Sequence, residues 1–212
     1  MNRRYMVLGA AALAVVALGA FETYRLVRPN DIFAQCRNLA GTGGNMVAGG
    51  DIGGPFTLVD TSGSTVTDKQ LITKPTLLYF GYTFCPDVCP IDNARNSAVA
   101  DELAQAGHDV TPVFISVDPK RDTPQVMKEY ISNFSPRMVG LTGSPEQVKA
   151  AAKAYRVFYN IPDPQDEYYT VNHTALTYLV LPGHGFVDLF PHTATEKDLV
   201  KRISCYLDKA GS

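Results

Sequence analysis

Two cysteines four positions apart, Cys85 and Cys89, stand in the run FCPDVCP, each followed by a proline. Thiolates are soft, redox-active ligands, so the spacing admits three chemistries: a plain disulfide or two buried thiols, a redox pair exchanging disulfides, or two ligands of a metal ion. The spacing has three intervening residues, where the usual exchange motif has two. If the first turn of a helix includes both cysteines, their sulfurs lie on one side, within reach of one ion or of each other. Pro86 and Pro90 remove two amide donors and stiffen the loop. A third ligand would be sought among the four histidines. His108 lies beside Gly107 at a helix end, His184 in a turn and His192 after Pro191, so each reads as a solvated loop residue. His173, in TVNHTALTYLVL, directly precedes an apolar run of strand length and is the candidate.

These side chains need elements to carry them. FTLVDTSGSTVTD holds two short strand-like runs flanking Ser62-Gly63-Ser64, a hairpin. Thr76 to Thr83, TLLYFGYT, reads as a strand buried on both faces, and a helix follows from about Cys89 to Gln105, closed by Gly107. The cysteine pair therefore marks the corner between a buried strand and a helix start, where the positive helix terminus favours thiolates. Val113 to Val117 is a second buried strand. Thr123-Pro124 and Ser144-Pro145 each give an N-cap followed by proline, opening helices that run to about Phe134 and Val157. Val139 to Leu141 is a short strand between them. Ala175 to Leu181 and Phe186 to Phe190 are strands joined by the turn PGHG, and a last helix spans about Thr195 to Leu207. This alternation describes an α/β domain of thioredoxin-like order, its sheet covered on both faces. In that pattern the loop carrying His173 comes against the cysteine corner. Thioredoxins place a cis-proline there, whereas Thr170 to Thr174 contains no proline. Two thiolates and an imidazole form a soft, three-ligand set. Zinc wants a fourth ligand, and none is evident nearby; Cu(I) accepts low coordination, so copper is the better fit, Cu(I) ahead of Cu(II).

The 212 residues are 45% hydrophobic and 19% charged, with a formal net charge of -2. That composition excludes a disordered chain and offers no basic footprint for nucleic acid. Two arginines precede the uncharged run from Met6 to Phe21, which reads as a signal anchor with Arg3 and Arg4 on the cytoplasmic side, or as a signal peptide cleaved near Ala17-Leu18-Gly19. The anchor is favoured because no A-x-A triplet closes the run. Either reading exports the rest of the chain. The expected place is the inner membrane, crossed once, with the soluble domain on the periplasmic side, where disulfides persist. The expected organisation is residues 1–24 as anchor or signal peptide, 25–53 as a glycine-rich lead and 54–212 as the folded domain. Seven of the 17 glycines fall between Gly41 and Gly54.

From about Gly53 to Leu207 the sequence resembles the Sco/SenC family of copper-binding, thioredoxin-like proteins that assist cytochrome c oxidase assembly. The resemblance rests on GGPFTLVD, YFGYTFCPDVCP, FISVDPKRDTP, FSPRMVGLTG, AKAYRVFY and NHTALTYLV, in that order. It implies copper ligands at Cys85, Cys89 and His173, and a single N-terminal tethering helix. It also implies delivery of copper from an upstream donor to the binuclear copper site of oxidase subunit II, or reduction of that site's cysteines as a thiol-disulfide oxidoreductase. The chain departs from the family at Asn172, often aspartate, and at Phe84, commonly histidine or another polar residue. Asp118 and Asp122, in VDPKRDTP, are read as organising the adjacent loop and helix start.

Two further features follow from the residues. On a helical wheel Cys205 lies opposite the apolar side formed by Leu199, Val200, Ile203, Tyr206 and Leu207, so a free thiol would face an oxidising solvent. A structural disulfide from Cys36 to Cys205 is expected, with an unpaired thiol, lipidation or an intermolecular bridge as the alternatives. The segment FYNIPDPQDEYYTVN, residues 158–172, is long for a loop in a compact domain and is expected to carry His173 toward and away from the thiolates and to contact the acceptor.

Overall fold

The computed structural model describes residues 31–37, 39, 52–162 and 168–211. The expected anchor and most of the glycine-rich lead lie outside these residues. Among the described residues no helix is long and apolar enough to cross a membrane.

Helix α1 is the short turn Ala34–Arg37. The hairpin expected from FTLVDTSGSTVTD forms as β1, Thr57–Asp60, and β2, Thr65–Thr67, joined by a loop in which the Asp60 carboxylate accepts from the Ser62 and Ser64 amides. A one-turn helix the sequence reading missed, α2 at Asp68–Leu71, follows at once. Its Thr67–Gln70 capping box satisfies the first amides reciprocally, which is the signal that could have found it. Strand β3, Thr76–Gly81, is buried at every position, as its uninterrupted apolar run requires. It leads into α3, Val88–Gln105. Strand β4, Thr111–Ser116, and α4, Pro124–Ile131, come next, the helix capped by Thr123 with proline in its first turn. Strand β5, Val139–Thr142, precedes α5, Pro145–Ala154, which has a Ser144–Gln147 capping box. Two short strands, β6 at Tyr159–Asn160 and β7 at Asn172–His173, pair as a ribbon of their own. Strands β8, Leu176–Leu181, and β9, Gly185–Pro191, make the second hairpin. Helix α6, Glu196–Ala210, runs from the Thr195–Asp198 capping box to Gly211, whose φ of 73° provides the left-handed cap.

Among the described residues the main sheet has seven strands in the order β2-β1-β5-β4-β3-β8-β9. Strands β3, β4 and β5 are parallel, while β1 and β8 run antiparallel to their inner neighbours. Helices α3 and α6 pack together, and α5 packs against β1. This is the thioredoxin-like arrangement the element order predicts. Its consequence is positional: β3 lies beside β8, so the exit of β3 with its cysteines and the entry to β8 with its histidine meet at one end of the sheet.

Candidate metal centre

Strand β3 ends at Gly81, and the chain then turns through Tyr82–Cys85, with the Cys85 amide donating to the Tyr82 carbonyl at 3.3 Å. Gly81 is required by packing. A Cβ there would stand 2.8 Å from the Cys89 sulfur and 2.9 Å from the Phe114 ring, so any side chain would displace the second thiol. Helix α3 begins without a side-chain oxygen at its cap; instead the Cys89 amide points at the Cys85 sulfur, 3.4 Å away. A sulfur thus takes the place of the usual capping oxygen, where the helix terminus stabilises negative charge.

Asp122 holds the approach to this corner. Its buried carboxylate accepts from the Thr83 amide at 3.0 Å, the Thr83 hydroxyl at 2.6 Å and the Ser116 hydroxyl at 2.6 Å. Burial nevertheless raises its pKa, against the hydrogen bonds from Ser116 and Thr83. Asp118, also buried, pairs with Arg121 and accepts from the Tyr169 hydroxyl at 2.7 Å. The two aspartates therefore organise the loop as expected, and they also bind it to both halves of the site.

The third group arrives on β7. His173 pairs with Tyr159 across the ribbon, and its Nε2 lies 3.3 Å from the Cys89 sulfur. Its Nδ1 lies 3.2 Å from the Thr174 carbonyl. A carbonyl can only accept, so the Nδ1–H donates to it, and this turns Nε2 toward the sulfurs. The Tyr79 and Tyr82 rings stand edge-on to the imidazole, at 6.3 and 5.8 Å between centroids. The Cys85, Cys89 and His173 ligand atoms all lie within 4.8 Å of one another. Among the described residues no fourth histidine, cysteine or carboxylate joins them.

The two thiols are unlike. Cys85, 9% exposed, has its pKa lowered to about 4, chiefly by the hydrogen bond from Cys89, with His173 and the Asp87 and Cys89 amides assisting against burial. Cys89, with no exposed surface, is pushed up, first by the neighbouring Cys85 and then by burial. One proton is therefore shared between the sulfurs and resides on Cys89, leaving Cys85 as thiolate. Such a site can accept a soft cation or attack a disulfide.

Comparison with known proteins decides between families. The SCO1/SenC family profile matches residues 45–208. The chain belongs to this family. It is 52% identical over 202 residues to Protein SenC of Rhodobacter capsulatus, covering 95% of this chain and 89% of that one. It spans between 42% and 56% of the length of mitochondrial relatives. The crystal structure of Arabidopsis thaliana ScoI with copper bound superposes with a TM-score of 0.69 at 42% identity, covering 76% of this chain and 98% of that one. The copper-bound structure of Bradyrhizobium japonicum ScoI does so with a TM-score of 0.66 at 44% identity, covering 74% and 99%.

The remaining expected residues fall as follows. Cys36 and Cys205 are joined as a disulfide across a sequence separation of 169, with Cα atoms 5.6 Å apart. Phe84 is exposed and lies against the Arg121 guanidinium. Asn172 is exposed on the ribbon, and the Thr174 carbonyl, not residue 172, orients the His173 ring. Residues 163–167 of the expected moving loop lie outside the described residues; its two ends are tied by the ribbon and by Tyr169. His192 sits in a turn as read, but its ring is partly buried and engaged. Its Nδ1 lies 3.0 Å from the carboxylate of buried Asp92, which Arg95 also engages at 3.0 Å. Arg95 in turn donates to the Pro191, His192 and Ala194 carbonyls, pinning α3 to the exit of β9. Periodicity could not reveal this, since a polar face buried in a network reads like a solvated one.

Proposed function

We propose that the chain is a copper metallochaperone, tethered to the inner membrane by its N-terminal segment, with its soluble domain on the periplasmic side. It binds Cu(I) through Cys85, Cys89 and His173, receives the ion from an upstream donor and delivers it to the binuclear copper site of cytochrome c oxidase subunit II. The observation carrying this reading is the convergence of two sulfurs and one imidazole nitrogen within 4.8 Å, with no fourth ligand among the described residues. A soft set of three suits Cu(I) better than zinc, and low coordination leaves a side from which an acceptor's ligand can enter. The copper-bound relatives support the assignment of the cargo. Each cysteine must lose its proton to bind the ion, and Cys85 has already lost its own.

The depressed Cys85 thiol also favours a second role, reduction of an acceptor disulfide. The Cys85 thiolate would attack one acceptor sulfur and release the other as thiolate. Cys89, losing its proton, would then attack Cys85 and free the acceptor's second thiolate. The chain would finish as the Cys85–Cys89 disulfide and would need an external dithiol to reset it.

Anaerobic Cu(I) titration of the reduced full chain separates the two. One tight equivalent that is lost in Cys85→Ser and Cys89→Ser and weakened in His173→Ala supports the chaperone. Weak binding indifferent to His173→Ala, with fast exchange against a model disulfide, supports the reductase.

A further inference from the structure

The Arg121 side chain touches the cysteine loop, the chain entering His173 and the loop after β4 together. Its Nε pairs with the Asp118 carboxylate at 2.5 Å, and its Nη1 donates to the Tyr169 carbonyl at 2.9 Å. Its guanidinium carbon stands 3.5 Å from the centre of the Tyr169 ring, 4.7 Å from that of Phe84 and 5.7 Å from that of Tyr82. The Tyr169 hydroxyl closes the circuit on the other Asp118 oxygen. Arg121 Nη2 is buried with no hydrogen-bond partner, as expected of a cation held against π faces. Phe84 directly precedes Cys85, and Tyr169 lies four residues before His173.

The ribbon that carries His173 is only two residues long in each strand, and a pair that short is marginal alone. On its other side the histidine is held by the chain from Tyr169, which Arg121 grips by carbonyl and ring at once. We infer that Arg121 is a positioning residue for the third ligand: its latch on Tyr169, braced by Asp118, keeps the His173 imidazole over the two sulfurs. Release of His173 then requires the latch to open. Lysine cannot replace Arg121, because a point charge has neither the fork for the Tyr169 carbonyl and Asp118 nor the flat face for the rings. The inference rests on the copper reading for its consequence, but the positioning can be measured without metal.

The test uses the reduced full chain in two arms. In the metal-free arm, amide exchange is compared between wild type and Arg121→Lys. The expected result is exchange at Val171–Thr174 faster by about tenfold or more, with β3 and β4 unchanged. In the copper arm, Cu(I) release to excess competing chelator is followed in a double-mutant cycle with His173→Ala. Arg121→Lys should speed release by about tenfold or more in the wild-type background, the scale of an outer residue that orients a ligand, and add nothing in the His173→Ala background. Tyr169→Phe, which removes only the hydroxyl bond to Asp118, should show the same pattern more weakly and carries the test if Arg121→Lys does not fold. Unchanged exchange at 171–174, or equal acceleration of release in both backgrounds, overturns the inference. If wild type takes up no copper while exchange at 171–174 rises in the variant, the copper reading fails and the positioning role stands.

Discussion

The molecule holds two cysteine pairs, and they differ in every respect but the element sulfur. Cys36 and Cys205 come from opposite ends of the described chain and are bonded; Cys85 and Cys89 are four residues apart and free. The distant pair is brought together by helices α1 and α6, and no metal-ligating residue joins it among the described residues. The near pair is set at a strand-to-helix corner beside an imidazole, with one thiol charged and the other protonated. Residue type alone does not distinguish a staple from a site. What distinguishes them is the setting: the distant pair is already bonded, while the near pair stands beside an imidazole and divides a proton unequally.

The sharpest way to break this contrast is to exchange serine into each pair in turn. Cys85→Ser or Cys89→Ser should abolish the tight copper equivalent in an anaerobic titration while leaving the denaturation midpoint nearly in place. Cys36→Ser should leave copper affinity in place and lower stability in chemical denaturation by about 2–5 kcal/mol, because a cross-link closing so long a loop restricts the unfolded chain strongly. Copper loss on removing the distant pair, or wild-type stability without it, would dissolve the division of labour.

A smaller effect tests the inequality within the near pair. The thiolate is the reactive form, so Cys85, with its pKa lowered to about 4, should be alkylated at a rate that is flat through neutral pH and falls as pH drops through about 4. Cys89, shifted the other way, should show no such step in the acid or neutral range. Mass spectrometry of the singly alkylated reduced chain reads this directly, and comparable labelling of both sulfurs at neutral pH would refute it. The smallest effect concerns the ribbon. Asn172→Asp should change copper affinity less than about twofold, because the Thr174 carbonyl already fixes the His173 tautomer.

Most of this arrangement was legible in the chain. Buried strands announce themselves by apolar runs such as TLLYFG, and helices by Thr-Pro and Ser-Pro starts, so the order of elements and the meeting of Cys85, Cys89 and His173 could be reasoned out. The polar setting of Cys205 on its helix made the Cys36–Cys205 pairing one of several outcomes open to that thiol, and the structure joins the two. Three things were not legible. The Asp92–Arg95–His192 network is buried polar chemistry in an alanine-rich helix, and its pattern matches that of a wet surface. Arg121 stood in VDPKRDTP as one charge among several, and only the fold shows aromatic rings from two other segments around it. Gly81 read as a strand residue, while its lack of a side chain is what lets the Cys89 sulfur sit against the sheet.

The spacing of partners along the chain has a consequence for biogenesis. His173 follows Cys89 by 84 residues, and Cys205 follows Cys36 by 169. A chain threaded through the membrane from its N-terminus would deliver Cys36 first and the Cys85–Cys89 pair next, with both native companions still on the far side. On the export route proposed above, either disulfide that takes in Cys36 at that stage would be non-native, and a Cys85–Cys89 bond would close the candidate metal centre. On that route the staple and the candidate metal centre would both be completed only when the last stretch of chain arrives.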